Sequence, residues 1–98
     1  MEIDGKICVI TGGASGIGLG LVKALLARGG QVVLADINIA RAEAVAGQLG
    51  PKAHAAALDV RSTESFEALA AQVFSSFGRV DVMVNNAGVS GGRGLLDT

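Results

Sequence analysis

The sequence predicts an α/β chain built on a doubly wound parallel sheet, in the order β-α-β-α-β-α-β, and three observations lead there. Short apolar runs alternate with longer segments whose apolar residues fall at helical spacing. The clearest runs, KICVI and QVVLA, are apolar nearly throughout, as parallel strands covered on both faces are. The first run also opens directly into the glycine cluster TGGASGIG, with a helical pattern behind it.

Residues 6–10 (KICVI) form the first expected strand, and residues 11–18 the glycine cluster. A helix is expected over residues 17–28, with Ile17, Leu21, Val22, Leu25 and Leu26 as its apolar positions. Gly29-Gly30 ends it, because glycine accepts the left-handed backbone that closes a last turn. Residues 31–35 (QVVLA) read as a second buried strand, and Asn38 can cap a helix that runs to residue 49 and stops at Gly50-Pro51. The alanine-rich residues 53–58 make a weaker third strand. Ser62 or Thr63 caps a helix with Phe66, Leu69, Ala70, Val73 and Phe77 on one face, closed by Gly78. Phe66, Phe74 and Phe77 are expected in the core. Residues 81–84 (DVMV) are the fourth strand and residues 85–98 a glycine-rich loop. The switch-point logic of a doubly wound sheet gives the strand order 3-2-1-4, and right-handed crossovers then put two helices on one face and one on the other, with DVMV at an edge.

Composition narrows the function classes. Apolar residues are 50% of the 98, and the fifteen glycines lift that share to roughly 65%, well above the usual range. Eight basic against nine acidic side chains leave a net charge of −1 without a tract of either sign, so neither a nucleic-acid partner nor a membrane surface is expected. One cysteine excludes an internal disulfide or a cysteine-based zinc cage, and Cys8, in mid-strand, reads as a small core residue. His54 stands alone, without a second histidine or cysteine at ligand spacing, and reads as a surface or strand-edge residue. The acidic opening Met1-Glu2-Ile3-Asp4 is unlike a secretory signal, so a soluble, cytoplasmic protein is expected.

A strand that runs into glycines and then a helix suits phosphate, since the backbone can approach an anion and the free N–H groups of the helix start meet it. Asp36, at the end of the second strand, stands eighteen residues beyond Gly18. In dinucleotide-binding folds an acid about 20 residues on bonds a ribose 2′-OH, and this spacing gives Asp36 that role rather than that of a plain polar strand end. A P-loop is excluded, because Leu19-Gly20 follow Gly18 where Lys and Ser or Thr are needed. Gly16-Ile17-Gly18-Leu19-Gly20 fits the GxGxG loop of S-adenosylmethionine methyltransferases, though Ala14-Ser15 replace the acid those enzymes usually place before it. What fits the whole cluster is Thr11-Gly12-x-x-x-Gly16-x-Gly18.

With that motif the chain resembles the short-chain dehydrogenase/reductase family. TGxxxGxG after the first strand is the family's coenzyme signature, and Asn85-Asn86-Ala87-Gly88 after the fourth matches its NNAG motif. Asp59-Val60 stand where the family places an adenine-contacting acid, and Asp4-Gly5-Lys6 resembles its usual lead-in. The resemblance implies a Rossmann-like fold, here partial, and NAD as cofactor. It places Gly12, Ser15, Gly16, Ile17 and Gly18 along the pyrophosphate, Asp36 on the adenosine ribose, and Asp59 and Val60 beside the adenine. Asn86, Ala87 and Gly88 would pass beside the coenzyme, with Thr11 tying the first and fourth strands together.

The implied activity is hydride transfer between NAD(H) and a small alcohol or carbonyl substrate, in a parent protein expected to be a homo-oligomer. The family's proton donor is a tyrosine in a YxxxK arrangement, with a lysine that lowers its pKa and a nearby serine. No tyrosine occurs among the 98 residues, and Lys6, Lys23 and Lys52 lie outside any such motif. No catalytic residue is therefore assigned. The expectation is that residues 1–98 are the amino-terminal, NAD-binding part of a longer dehydrogenase, cut before its catalytic segment and inactive alone. A catalytically inactive nucleotide-binding module and, less favoured, a methyltransferase are the alternatives.

Overall fold

In a computed structural model of the chain, residues 2–14 and 16–86 are described. Four strands, β1 (Ile7–Thr11), β2 (Gln31–Asp36), β3 (Ala53–Ala57) and β4 (Val82–Asn85), alternate with helices α1 (Gly16–Ala27), α2 (Ile39–Leu49) and α3 (Thr63–Phe77). The strands form one parallel sheet in the order β3-β2-β1-β4, as the sequence predicts. In register, Ile10 stands between Leu34 of β2 and Val84 of β4.

The pleat divides the sheet's side chains into two cores. Cys8, Ile10, Val32 and Leu34 face α1 and α2, where Val22, Leu25, Ala42 and Ala46 meet them. Ile7, Val9, Val33 and Ala35 face the other way, onto Leu69 and Val73 of α3. That second face is less completely covered: Met83 is 52% exposed, and Phe66, Phe77 and Val80 are only partly buried.

Local chemistry sets the element ends. The Asn38 side chain accepts from the Arg41 N–H and that of Ser62 from the Ser65 N–H, satisfying helix-start donors. Gly29 (φ +86°) and Gly78 (φ +80°) take the left-handed backbone after α1 and α3, as expected. At the amino end of the sheet the Asp81 carboxylate accepts from the Ile7 N–H at 2.8 Å, and the Asp81 N–H returns a bond to the Ile7 carbonyl at 2.9 Å. Arg79 adds its Nε to Asp81 at 2.9 Å and a second donor to the Gly5 carbonyl at 3.2 Å.

Several expectations need correction. Thr11, Asp36 and Asn85 belong to strands, one residue beyond the predicted ends, and Leu58 lies past β3, although still buried. Ile17 is 63% exposed, because α1 turns Gly18, Val22 and Leu25 onto the sheet and its first turn projects past the strand ends. Ala70 and Phe74 are also exposed. Phe74 follows the buried Val73 by one residue, about 100° round the helix, which carries its ring off the sheet-facing stripe. Residues 87–98, predicted as a glycine-rich loop, lie outside the described residues.

Candidate functional site

The sequence-predicted site residues that are described all lie at the carboxyl end of the sheet. Gly12, Gly16, Ile17 and Gly18 come from the β1–α1 turn, and Asp36 ends β2. Asp59 and Val60 follow β3, and Asn86 follows β4. In open parallel sheets ligands bind outside the carboxyl ends, where the strand order reverses. Here the reversal falls between β1, whose helix leads to β2, and β4 on its other side. Ser15, Ala87 and Gly88 fall outside the described residues.

The turn is built by close approach of backbone to backbone. Gly12 (φ +66°) and Gly16 (φ +61°) hold left-handed conformations that bring the chain from strand to helix. A side chain at Gly18 would run into the Gly12 carbonyl oxygen, and into Asn86 Nδ2 at 2.6 Å. At Gly13 a Cβ would stand 3.0 Å from the Ile10 carbonyl oxygen and 3.2 Å from Leu34 Cα. Glycine is therefore required here by packing as well as by φ. The first N–H groups of α1, which no helix can satisfy internally, open toward the same end of the sheet.

Thr11 joins this turn to β4. Its hydroxyl accepts from the Asn86 N–H at 2.7 Å and lies 3.0 Å from Asn85 Oδ1 and 3.3 Å from the Val84 carbonyl oxygen, both acceptors within reach of its proton. Asn86 Nδ2 donates to the Gly12 carbonyl at 3.4 Å. The predicted tie between the first and fourth strands is thus present.

Beside the turn lies a cleft of about 290 Å³ whose floor is Gly12, Ala35 and Leu58. Asp36, Ile37, Asp59, Val60 and Arg61 form its rim. Asp36 accepts from the Ala14 N–H at 3.4 Å and the Asn38 N–H at 3.1 Å, so its carboxylate is fixed between the glycine turn and the start of α2. Ile37 (65% exposed) and Val60 (43%) present apolar surface at the same opening. Opposite Asp36, the Asp59 carboxylate accepts from Arg61 three times, from its backbone N–H at 3.0 Å, Nε at 3.1 Å and Nη2 at 3.2 Å. These side-chain and backbone bonds from Arg61 hold the Asp59 carboxyl below the usual carboxylate range.

Ile37 and Arg61 line the cleft without having been singled out from sequence. The usable signal was adjacency: each follows a strand-end acid by one or two residues. A second hollow, about 460 Å³, opens between β3 and α3 beside His54 and Phe77, but none of the predicted site residues reaches it. His54 there bonds Gln31 Oε1 at 2.8 Å, in keeping with a strand-edge histidine. Cys8 is fully buried and unpaired in any disulfide, and burial, reinforced by the Asp81 charge, pushes its thiol pKa up, as befits a small core residue. Among the described residues no cluster of three potential metal ligands exists, and no helix is long and apolar enough to cross a membrane.

Comparison with known proteins gives a consistent result. Residues 6–98 match the family model described as short chain dehydrogenase. Galactitol 2-dehydrogenase of Agrobacterium fabrum is 44% identical over 89 residues, which is 91% of this chain and 35% of the relative. Sorbitol dehydrogenase of Cereibacter sphaeroides is 42% identical over 87 residues, 89% of this chain and 34% of the relative. Among solved structures, the 3-ketoacyl-(acyl-carrier-protein) reductase from Brucella melitensis, complexed with NADH, superposes with a TM-score of 0.79 at 38% identity, covering 83% of this chain and 33% of that one. The chain thus spans about a third of the length of the curated relatives it matches.

Proposed function

The chain belongs to the short-chain dehydrogenase/reductase family, and from that premise we propose that it forms the NAD(H)-binding part of an oxidoreductase. Family membership chooses between the two readings that the glycine motif left open, in favour of the dehydrogenase over the methyltransferase. The parent enzyme moves a hydride between NAD(H) and a small alcohol or carbonyl compound. The names of the two relatives favour a polyhydroxy alcohol or its ketone.

The residues present fit the coenzyme. The absence of a side chain at Gly18 leaves the turn compact, with the α1 start open to an anion such as a pyrophosphate. Asp36 would accept from the adenosine ribose, Asp59 and Val60 would meet the adenine edge, and Ile37 would add apolar contact. Asn86, held by Thr11 and Gly12, would stand beside the coenzyme as it leaves the cleft. When bound, the nicotinamide supplies the hydride acceptor or donor. The glycine turn, Asp36, Asp59 and Asn86 bind and orient it, and none of them is assigned a proton-transfer role.

The single observation that carries the NAD preference is the Asp36 carboxylate, fixed at the cleft with its two backbone donors. It would repel a 2′-phosphate, and the one cation on the cleft among the described residues, Arg61, is engaged by Asp59. The test is calorimetric titration of wild type and Asp36→Ala with NADH and NADPH. We expect wild type to favour NADH and the variant to narrow that preference about tenfold or more, as loss of a charge-assisted contact should. Tighter binding of NADPH by wild type would overturn the assignment.

Assembly into a homo-oligomer and a cytoplasmic location are part of the same reading. Exposed Phe74 and Met83, both on the α3 side of the sheet, are apolar surface open to burial.

A further inference from the structure

We propose that Arg61 is a positioning residue for the base end of the coenzyme, holding Asp59 so that it accepts an amino group and rejects a carbonyl. The proposal rests on the coenzyme reading above and goes beyond it, since Arg61 itself need not touch the ligand.

The Asp59 backbone is already anchored. Its N–H donates to Ser65 Oγ at 2.8 Å, and its carbonyl accepts from the Ser62 N–H at 3.0 Å, which ties the residue to the first turn of α3. What remains free is rotation of the carboxylate, and Arg61 removes it. The backbone N–H and Nε of Arg61 both bond Oδ1, and Nη2 bonds Oδ2. A carboxylate offers about four acceptor positions. Arg61 takes two on Oδ1 and one on Oδ2, so one acceptor position remains, on Oδ2, at the rim of the cleft. That position can be filled by an N–H donor and is repelled by an oxygen.

An ion pair this exposed, with Arg61 at 80%, contributes little to stability. Its consequence is geometric. A planar guanidinium fixes both oxygens at once, which a single ammonium cannot do. The 6-amino group of adenine is a donor, whereas the 6-carbonyl of hypoxanthine in the same place is an acceptor, so the two bases report on how firmly Asp59 is held.

The experiment is calorimetric titration of the full-length protein with NADH and with its deamino analogue, which carries hypoxanthine. Wild type, Arg61→Ala, Arg61→Lys and Asp59→Ala are compared, with circular dichroism melts to check folding. We expect wild type to prefer NADH and Arg61→Ala to lose about three- to tenfold of that preference. Arg61→Lys should lie between them, and all variants should melt close to wild type. An unchanged or increased preference in Arg61→Ala, with Asp59→Ala losing it, overturns the role of Arg61 alone. No preference in wild type, or one that survives in Asp59→Ala, overturns the assignment of Asp59 to the base, and the proposal with it. Absence of binding by either dinucleotide to wild type overturns the coenzyme reading itself.

Discussion

At the amino end of the sheet Arg79 donates to Asp81 across two residues; at the carboxyl end Arg61 donates to Asp59 across the same separation. Both arginines depend on the same chemistry and both pairs are partly solvated, so neither is a large source of stability by charge attraction alone. The difference lies in what else each carboxylate meets. Asp81 also accepts from the backbone of β1, through Ile7, and so closes the β1–β4 ladder where it begins. Among the described residues the Asp59 carboxylate meets no strand, and it lines an open cleft. One pair fastens the scaffold and the other stands on a cleft, which means that residue type and spacing alone cannot separate an acid that ties strands from one that faces an opening. The third partner separates them.

The two ends should answer differently to substitution. The largest effect is expected at the carboxyl end from Gly18→Ala, whose methyl group has no room beside the Gly12 carbonyl and Asn86. Overpacking of this kind costs about 1–3 kcal/mol, and because the turn itself must shift, NADH affinity should fall about tenfold or more; denaturant melts and calorimetry read both. Next, Thr11→Val strands the Asn86 N–H and removes the hydroxyl from Asn85 and Val84. A loss of about 1–3 kcal/mol is expected, and an unchanged urea midpoint would show that the β1–β4 pair does not depend on this end.

The amino end is probed by acid. Asp81 is held below its ordinary pKa of 3.8 first by the Ile7 N–H and then by Arg79, and Asp59 is lowered by Arg61. A carboxylate with a depressed folded-state pKa contributes stability that is present above its unfolded value and is lost as pH falls through the folded one. Thermal stability should therefore be flat around neutrality and decline below about pH 4. Asp81→Asn should lower the melting temperature at pH 7 and shallow that acid decline without changing NADH affinity; a loss of affinity would erase the distinction between the ends. The smallest effect is a gain. Gly20 lies in α1 with open space around its Cα, so Gly20→Ala should stabilise by about 0.5–1 kcal/mol while leaving coenzyme binding intact, in contrast with Gly18 two residues earlier.

Much of the fold was legible because its signals are local. Asn38 and Ser62 cap helices, Gly29 and Gly78 end them, and the apolar runs mark strands buried on both sides. Strand order followed from the switch point of a doubly wound sheet, and the helix faces from crossover handedness. The errors occurred where burial depends on neighbours that a pattern does not supply. Ile17 continues the apolar spacing of α1 but overhangs the end of the sheet, and Phe74 is as apolar as Phe77 yet lies off the face that meets it. At the cleft, Asp36 was legible because it ends β2, and Asp59 because it follows β3 by two residues. Arg61 was not, because it reaches the cleft through a side-chain fork folded back onto Asp59, and sequence spacing carries no sign of that fold.

The contact between Asn86 and Gly12 also has a kinetic side. The bonds that join β4 to the glycine turn link residues 73 to 75 positions apart, whereas β1 reaches its other neighbour, β2, after only one helix. Closing a loop about three times longer costs about 1 kcal/mol more in chain entropy, and contacts of high sequence separation form slowly. The β1–α1–β2 unit can assemble while the rest of the chain is still being made, but the rim beside Gly12 cannot exist until β4 has been synthesised and docked. The rim of the cleft is thus complete only once β4 has docked, and a molecule that grips both β4 and the turn would favour the docked state.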